Sequence, residues 1–557
     1  MMRWTLELLR PEGNCDIAEI TPFTQGTQWY EKDGLQIKIE QKCTEKDALM
    51  TVTVTGKGSC YLAVNCRGDG KVATFSGDVT KERYIRQSPH DPDDHVLDME
   101  KEAVPMAAIL ENELYTAVIC DQPGHCDNAT TQHVFSDGFS VCSGDRGSVP
   151  GEAGKQFAPF FHDVTPQSPH VFRLLFTKFE AQGLNAFRNQ VFRAIDRVWG
   201  TDGSGFHSVC FSGNYMHYRK NETGYSDYWV VPGIEYANKQ YTRDAFWQSM
   251  ILPEDMAWQC YQAVYPQRYK YAECGLIFLI WSYRVWQAGG KADLKRAQDA
   301  MDYIKDYCKD GCYLAGKPGE TKYDFKSWYD ICAFETDDVI TYNQGLLAVA
   351  MMAAEAMGIA PAVPAKEAAE QYRRLFNGRY FPLSRKKQCL SLDVLIGDVL
   401  SFLLFDQFLL PDDAVRTCYE FVTQKSQTPY GCKVVCGEDG GFLPMEAHGA
   451  YGYVNEHQLA LHPGEYAYGG SYYLYEMLFH IGGYLHGAPQ AEDQLIARGK
   501  LDFTIGGTFY EHINTVTGQG NKANQGWNAA IYRIWEQLME RGLADDRFFR
   551  EIETVLA

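Results

Sequence analysis

The sequence predicts a multidomain chain of β and α parts: an N-terminal antiparallel β-sandwich followed by a toroid of helical hairpins. Two observations lead to this prediction. Residues 1–175 contain short segments in which apolar and polar residues alternate, and helical spacing replaces this alternation from Phe179 onward. We place the β domain at 1–175, a linker helix with its connecting loop at 176–224, and the helical domain at 225–557.

The strand patterns of the first part are short and regularly interrupted. Leu35-Gln-Ile-Lys-Ile39 and Leu49-Met-Thr-Val-Thr-Val54 alternate apolar and polar positions, and Tyr61-Leu-Ala-Val64 is a short apolar run. Gly, Asp, Asn and Pro separate such segments about every ten residues, which is typical of antiparallel strands in a sandwich. We therefore expect strands joined by tight turns.

The linker begins with an amphipathic helix. Its apolar positions follow helical spacing and are Leu184, Phe187, Val191, Phe192, Ile195, Val198 and Trp199. A passage rich in glycine and aromatic residues follows, from Gly200 to Gln240, with little periodicity. Loops of this length in a compact domain are usually functional.

Helical stretches follow one another from Arg243 onward. The candidates are 244–264, 269–288, 291–308, 343–357, 363–376, 391–407, 411–425, 467–486, 526–541 and 545–555. Long loops at 309–342, 426–466 and 503–525 alternate with short turns, and there is no repeated motif of 30–50 residues. Such unequal connections favour helical hairpins arranged as a toroid, with the long loops at one end.

Composition and charge restrict the possible partners. The chain has 72 acidic and 52 basic residues, a net charge of −20, which disfavours binding to nucleic acid. Aromatic residues make up 14% of the chain and suit both a large core and the stacking of sugar rings. No apolar run is long enough to span a bilayer, and no signal peptide is visible. Seventeen cysteines without framework spacing indicate free thiols, so we expect a cytoplasmic protein. The acidic net charge favours a neutral small molecule or a glycan, such as a small carbohydrate substrate, as the partner.

Two stretches before helices combine acids with aromatic residues. In Arg243-Asp-Ala-Phe-Trp247, Asp244 is either an acid at a helix start or a carboxylate that holds sugar hydroxyls beside Trp247. Arg243 would pair with a carboxylate or a hydroxyl. In Lys326–Asn343, Asp330 follows Trp328 and Tyr329, and an aromatic environment raises the pKa of a carboxyl group. A raised pKa is what a general acid needs.

Two further stretches lie near the C-terminus. Leu461-His-Pro-Gly-Glu-Tyr-Ala-Tyr-Gly-Gly-Ser-Tyr-Tyr473 precedes a helix, and its Glu465 and Tyr466 are candidates to line a subsite. The loop Gly507–Gly520 contains Glu511, which by itself is either a solvated loop acid or a catalytic group. Two carboxylates in different environments are the minimum equipment for cleaving a glycosidic bond. The sequence has no phosphate loop, no Gly-x-Ser-x-Gly and no His-Glu-x-x-His.

The order of these motifs resembles a known group of enzymes. Pro232-Gly233 with Arg243-Asp-Ala-Phe-Trp247, then Ser327-Trp-Tyr-Asp330, then Tyr510-Glu-His-Ile-Asn-Thr-Val-Thr-Gly518 with Gly526-Trp-Asn-Ala-Ala530 are similar to segments of inverting glycosidases. The group is the six-hairpin (α/α)6-barrel clan, which includes the trehalases and the processing α-glucosidase I family. The trehalase segment Gln-Trp-Asp-x-Pro-Asn-Gly-Trp is replaced by Gly464-Glu-Tyr-Ala-Tyr-Gly-Gly470, so the resemblance does not assign trehalose.

The resemblance implies a role for each candidate residue. Asp330 would be the general acid and Glu511 the general base. The residue patterns and the resemblance together give the substrate-binding candidates, with Glu465 and Tyr466 coming from the residue pattern alone: Arg243, Asp244, Trp247, Tyr329, Asn343, Glu465, Tyr466 and Trp527. No metal and no organic cofactor are implied.

The predicted activity is that of an exo-acting, inverting glycoside hydrolase that removes a terminal, α-linked sugar. Three alternatives stay open. The barrel could catalyse phosphorolysis, with phosphate in place of the activated water. It could be a sugar epimerase or lyase with a His or Tyr base. It could also bind glycans without turnover.

Overall fold

The computed structural model describes residues 2–556, apart from 11–14, 76, 79–83, 88–94, 98–105, 121–131, 136–137, 143–161, 202, 221–227, 234–239, 265–270, 290–291, 322–325, 330–331 and 444–461. These residues form two compact units. The first comprises the described residues up to Lys220 with 228–233 and Leu556, and the second those from Gln240 to Val555. The boundaries 1–175, 176–224 and 225–557 stay a prediction, although the described residues of 176–220 cluster with the first unit.

Antiparallel strands form two large sheets in the first unit. One sheet has the order β2-β1-β6-β14-β13-β10-β9 with β15 paired to β6, and the other has the order β3-β4-β5-β16-β12-β11-β7-β8. The strands are β1 Arg3–Leu9, β2 Cys15–Ile20, β3 Gly26–Lys32, β4 Leu35–Cys43, β5 Asp47–Gly56, β6 Gly58–Arg67, β7 Lys71–Thr74, β8 Gly77–Asp78, β9 Tyr84–Gln87, β10 His95–Leu97, β11 Met106–Glu111, β12 Leu114–Cys120, β13 Gln132–Phe135, β14 Gly138–Cys142, β15 His162–Val164 and β16 His170–Phe179.

The two sheets share one hydrophobic core. Strand β4 buries Leu35, Ile37 and Ile39 on one face, as its alternating sequence predicts. Trp4 of one sheet meets Phe176 of the other edge to face, with ring centroids 5.4 Å apart. This arrangement is a β-sandwich, and the prediction of a β-rich N-terminal part followed by a helical part is confirmed.

Two helices complete the described part of the first unit, α1 Leu184–Trp199 and α2 Gly205–His217, followed by a hairpin of Tyr218–Lys220 with Tyr228–Val230. The buried Asp196 near the end of α1 accepts hydrogen bonds from the backbone N–H of Thr201 (3.0 Å) and from the Ser208 hydroxyl (2.9 Å). These bonds fix the turn between the two helices.

Helices dominate the described residues from 242 onward. They are α3 Thr242–Gln248, α4 Glu254–Val264, α5 Cys274–Gln287, α6 Leu294–Lys305, α7 Thr341–Ala356, α8 Ala365–Arg373, α9 Ile396–Phe405, α10 Asp412–Ser426, α11 Tyr473–Leu485, α12 Ala491–Gly506, α13 Ala530–Glu540 and α14 Arg547–Leu556. Each predicted stretch contains a helix, and 244–264 is divided between α3 and α4 by a turn that ends at Pro253. Helix α12 was not predicted. It contains Gly499, where a Cβ would lie 2.7 Å from the Ile552 side chain.

The helices are of two kinds. Helix α5 buries every residue from Cys274 to Tyr283, whereas α6 buries only Ala297, Ala300, Met301 and Ile304 along one stripe. Mostly buried helices pack in succession, α3 on α5, α5 on α7, α7 on α9 and α9 on α11, and α13, which buries only one face, packs on α11. Helices α6, α8 and α12 pack on α5, α7 and α11.

One close helix contact depends on two glycines. A Cβ on Gly397 of α9 would lie 2.4 Å from the backbone of Gly345 of α7, so any side chain there would push the two helices apart.

Within the described residues, no helix is long and apolar enough to cross a membrane. The cysteines whose side chains the structure describes are free thiols in both units, and most of them are buried.

Candidate active site

The four stretches that the sequence indicated contribute side chains to one aromatic cluster in the second unit. The Trp328 ring stacks on Tyr475 with centroids 4.0 Å apart, and Tyr475 meets Trp527 at 5.5 Å. Tyr472 stacks on the His512 ring at 5.5 Å. The cluster therefore joins the stretch before α7, the start of α11 and the strand that carries Glu511.

The cluster extends to α3 through Arg243. Its guanidinium lies 5.4 Å from the Trp527 ring centroid and 5.5 Å from that of Tyr271. The Arg243 Nη1 donates a hydrogen bond of 2.9 Å to Oε1 of the fully buried Glu273. Two rings and a carboxylate thus fix the guanidinium, and the same helix carries Asp244 and Trp247.

Glu511 lies in a short strand whose backbone is held on both sides. The strand Tyr510–Ile513 pairs with Gly520–Ala523, and the backbone N–H of Tyr510 donates to Asp502 Oδ2 at 3.0 Å. The Asn528 amide donates to the Tyr510 carbonyl at 2.8 Å. The strand holds Glu511 firmly because the backbone groups before it are engaged.

The Glu511 carboxylate is buried, with 4% of the residue exposed, so it is not a solvated loop acid. Its Oε2 lies 3.4 Å from His512 Nδ1 and 3.5 Å from the ammonium nitrogen of Lys522. A buried carboxylate between an imidazole and an ammonium group is in an environment that suits acid–base chemistry.

Asp244 is the second buried carboxyl of this region. Its Oδ1 accepts a hydrogen bond of 3.3 Å from Gln525 Nε2, and its Oδ2 lies 3.6 Å from Arg243 Nη2. Burial raises the pKa of Asp244 to about 6, against the effect of the Arg243 charge and with a further increase from the charge of Glu511. The two carboxyl groups are therefore close enough to influence each other electrostatically.

The predicted general acid, Asp330, lies outside the described residues, but the two residues before it are well defined. Trp328 and Tyr329 are buried, and their ring centroids lie 3.8 Å apart. The Tyr329 hydroxyl is 2.7 Å from Ser391 Oγ and donates to the Val434 carbonyl at 3.3 Å. Asn343 donates through Nδ2 to the Lys326 carbonyl at 2.8 Å, which ties the start of α7 to this stretch.

The remaining candidates differ in their surroundings. Tyr466 has a left-handed backbone (φ +44°), and its ring meets the Tyr472 and His512 rings. Glu465 is half-buried and accepts a 3.0 Å hydrogen bond from the backbone N–H of His462. Trp247 is almost fully buried and packs edge to face on Phe246.

One group of described residues has the composition of a metal site, namely Cys432, Glu476 and His480. The Glu476 carboxylate already accepts hydrogen bonds from the backbone N–H of Cys432 (2.7 Å), from Ser471 Oγ (2.8 Å) and from Arg498 Nε (3.0 Å). The guanidinium neutralises this carboxylate, so the group has the features of a structural ion pair.

Comparisons with known proteins give distant structural similarities. No protein-family model and no curated protein matches the sequence. A solved glycosidase is 13% identical with a TM-score of 0.41, over 65% of this chain and all of that one. A GH63 mannosylglycerate hydrolase from Thermus thermophilus is 11% identical (TM-score 0.38), over 59% of this chain and all of that one. A polysaccharide lyase is 8% identical (TM-score 0.24), over 97% of this chain and 93% of that one.

Sequence reasoning missed several residues of the cluster. Tyr475 and Glu273 lie within stretches that read only as apolar helices, and Gln525 lies in a loop between two recognised motifs. Asp393 was also missed, although it is fully buried and accepts a hydrogen bond from the Trp328 indole. The available signal was two acids, Asp393 and Asp398, inside the largely apolar run 390–400.

Proposed function

We propose that this chain is an exo-acting, inverting glycoside hydrolase that removes a terminal, α-linked sugar from an oligosaccharide or glycoside. The observation that supports it most is the buried Glu511 beside His512, whose ring packs on Tyr472, together with the effect of the Glu511 charge on the buried Asp244. Aromatic faces pack against sugar rings, and buried carboxylates hydrogen-bond their hydroxyls. The net charge of −20 favours a neutral substrate.

We further infer that α3, α5, α7, α9, α11 and α13 form the inner ring of an (α/α)6 toroid. The succession of contacts between these helices supports the ring. The short 3-10 turn Gly526–Ala529, which leads into α13, packs against α3 and supports its closure. The starts of α3, α7 and α11 then face a common pocket.

In the proposed reaction, Asp330 gives a proton to the glycosidic oxygen while Glu511 removes a proton from a water on the opposite face of the sugar. Inversion requires space for that water, so the two carboxyl groups should be roughly 6.5–9.5 Å apart. Asp244, Trp247 and Glu465 would hold the sugar at the cleavage subsite, with Arg243, Tyr329, Asn343, Tyr466 and Trp527 around it. The reaction needs no metal and no organic cofactor.

Two experiments test this proposal. A panel of chromogenic α- and β-glycosides identifies the substrate, and NMR of the first anomer released identifies the stereochemistry. Asp330→Asn and Glu511→Gln should each abolish turnover while the circular dichroism spectrum stays that of the wild type. Near-wild-type rates in either variant, or release of the retained anomer, would contradict the mechanism. Phosphate-dependent cleavage would indicate a phosphorylase instead.

A lyase or epimerase is the second candidate, because one observation favours it. His512 is buried beside Glu511 and stacks on Tyr472, so an imidazole and a phenol are both available to remove a carbon-bound proton. Elimination creates a conjugated double bond that absorbs in the ultraviolet, and hydrolysis does not. His512→Gln would abolish elimination, whereas a hydrolase that uses Glu511 should keep measurable turnover.

The free thiols also support our proposal that the protein works in a reducing compartment such as the cytoplasm.

A further inference from the structure

A hydrogen-bond chain that ends on Asp393 holds the two residues before Asp330. Asp393 begins a short 3-10 turn, Asp393–Leu395, directly before α9, and the residue is fully buried. Its Oδ2 accepts a hydrogen bond of 2.8 Å from Trp328 Nε1, and its Oδ1 accepts one of 2.6 Å from Ser391 Oγ. Ser391 Oγ is in turn 2.7 Å from the Tyr329 hydroxyl. Both aromatic side chains are therefore connected to the same carboxyl group.

The proton positions in this chain follow from its chemistry. An indole N–H can only donate, so Asp393 Oδ2 must accept from Trp328. When Ser391 donates to Oδ1, its oxygen accepts the proton of the Tyr329 hydroxyl at 2.7 Å, and the Val434 carbonyl at 3.3 Å shares that proton as the more distant acceptor. An ionised Asp393 can accept from both donors at once, whereas a protonated carboxyl group would turn one of its oxygens into a competing donor.

Ring contacts restrain Trp328 in addition to its hydrogen bond. The Trp328 ring is stacked on Tyr475 (4.0 Å) and meets Tyr472 edge to face (5.2 Å). With one hydrogen bond at its edge and rings against its face, the Trp328 indole has little freedom. Side-chain contacts therefore fix Trp328, two residues before Asp330.

Burying the Asp393 carboxyl group is unfavourable, and a residue with only a packing role would not need such a group. An ionised carboxylate removed from water is unfavourable unless donors compensate it, and burial raises the pKa of Asp393 to about 6. An amide or an aliphatic side chain of similar size would avoid this unfavourable burial. A group retained at such a position commonly serves the function of a neighbouring site.

We infer that Asp393 is a positioning residue for the general acid: through Trp328 and through Ser391–Tyr329 it fixes the two residues directly before Asp330. This inference rests on the proposed role of Asp330. It predicts a specific defect, because a misplaced general acid matters only when the leaving group needs a proton. Alkyl glycosides need this proton, and dinitrophenyl glycosides, whose leaving group is already a stable anion, do not.

The test compares Asp393→Asn with a matched control, Asp398→Asn. Asp398 is also buried, lies five residues further on, and accepts hydrogen bonds from the backbone N–H groups of Leu409 (2.6 Å) and Leu410 (2.8 Å). Both variants replace one buried carboxylate by an amide. Turnover is measured well below the melting temperature on an alkyl glycoside and on the dinitrophenyl glycoside of the same sugar.

For Asp393→Asn we expect kcat on the alkyl glycoside to fall by about tenfold or more, with less than about a threefold change on the dinitrophenyl glycoside and little change in KM. Asp398→Asn should change both rates by the same small factor. If Asp393→Asn does not fold, Ser391→Ala removes the Tyr329 branch of the chain alone and should show the same selectivity in weaker form.

The outcomes separate this inference from the proposed function. If the wild type cleaves both substrates, Asp330→Asn is inactive on the alkyl glycoside, and Asp393→Asn loses both rates equally or neither, the positioning role is wrong while the hydrolase stands. If turnover does not depend on Asp330, or no glycoside is cleaved, the proposed general acid is overturned and the inference with it.

Discussion

Two fully buried carboxyl groups of the second unit, Asp393 and Glu476, have opposite electrostatic surroundings. Asp393 accepts hydrogen bonds from an indole and a hydroxyl, which are neutral donors, and burial raises its pKa to about 6. For Glu476 burial acts in the same direction, but His480 at 3.7 Å and Arg498 at 3.0 Å outweigh it and hold the pKa below its usual range.

This difference distinguishes the ion-pair network around Glu476 from the aromatic cluster of the candidate active site. Around Glu476 a cation compensates the charge, and Arg498 also donates to the buried Asp502 at 2.7 Å, so the network joins α11 and α12. In the aromatic cluster, Asp244 and Asp393 both have a pKa raised to about 6, near the range in which an enzyme can exchange protons. The buried charges around Glu476 therefore stabilise the packing of two helices, whereas the raised pKa values in the aromatic cluster are what we expect of a catalytic site.

The largest effect should come from Glu511 in the cluster. We expect Glu511→Gln to lower kcat by about 100- to 10,000-fold, because the amide cannot accept a proton from water. The melting temperature should change little, since the strand is held by backbone contacts to Asp502 and Asn528. Steady-state kinetics with differential scanning fluorimetry check both expectations. If Glu511→Gln lowers the melting temperature and leaves kcat unchanged, Glu511 has a structural role like that of Glu476.

Glu476→Gln should show the reverse pattern. The substitution leaves the buried Arg498 with one carboxylate partner fewer, and breaking a buried ion pair costs about 3 kcal/mol of unfolding free energy. Urea unfolding measures this loss. Turnover of the folded fraction should stay close to that of the wild type, and a large fall in kcat at full folding would contradict the distinction between the two regions.

The two acids should also give opposite dependences of stability on pH. The folded pKa of Asp393, about 6, exceeds the unfolded value of 3.8, so its stabilising effect is complete below the unfolded value and is lost as pH rises through about 6. The wild type should thus have a larger free energy of unfolding than Asp393→Asn at low pH. This difference should fall by about 2 kcal/mol between about pH 4.5 and 7.

The same measurement on Glu476→Gln supplies the contrast. Its folded pKa lies below the usual value of 4.5, so the stabilisation is present above that value and is lost as pH falls through the lower folded pKa. Parallel pH slopes for the two variants would contradict the electrostatic comparison.

The sequence predicted the general arrangement well where local patterns decide it. Alternation in β4 and β5 and helical spacing from Leu184 onward indicated the β-rich and helical parts. The four stretches that the sequence indicated contribute side chains such as Arg243, Trp328 and Tyr472 to one cluster, although Trp328 and Tyr472 were not among the predicted site residues. The catalytic roles of Asp330 and Glu511, and the ring of helices, stay predictions.

What the sequence could not predict depends on contacts between distant segments. Asp393 lies in an apolar run that reads as a helix, and only the indole of Trp328, 65 residues earlier, shows its role. Helix α12 was missed because Gly499 lowers its local helix propensity, whereas its packing against the Ile552 side chain favours a residue without a Cβ. In both cases tertiary contacts decide what local sequence leaves open.

The smallest expected effect concerns a third kind of buried acid, one paired with histidine. His486 is buried, with Nε2 at 2.7 Å from Asp398 Oδ2 and Nδ1 at 2.8 Å from Asp412 Oδ1. Burial opposes its charge, but the two carboxylates outweigh burial and raise the pKa of the imidazole. Its stabilisation is therefore fully present below the unfolded pKa of about 6.5 and is lost as pH rises through the higher folded pKa.

The stability of the wild type minus that of His486→Gln should accordingly fall by about 1 kcal/mol between about pH 6 and 9, measured by urea unfolding. The effect is smaller than the preceding ones because Asp412 is largely exposed, with 63% of its side chain accessible to solvent, so water screens its charge. Asp412→Asn should remove part of the pH dependence, and a difference that rises with pH instead of falling would show that His486 is neutral in the folded protein. A neutral imidazole has one N–H, so His486 would then donate to only one of the two carboxylates.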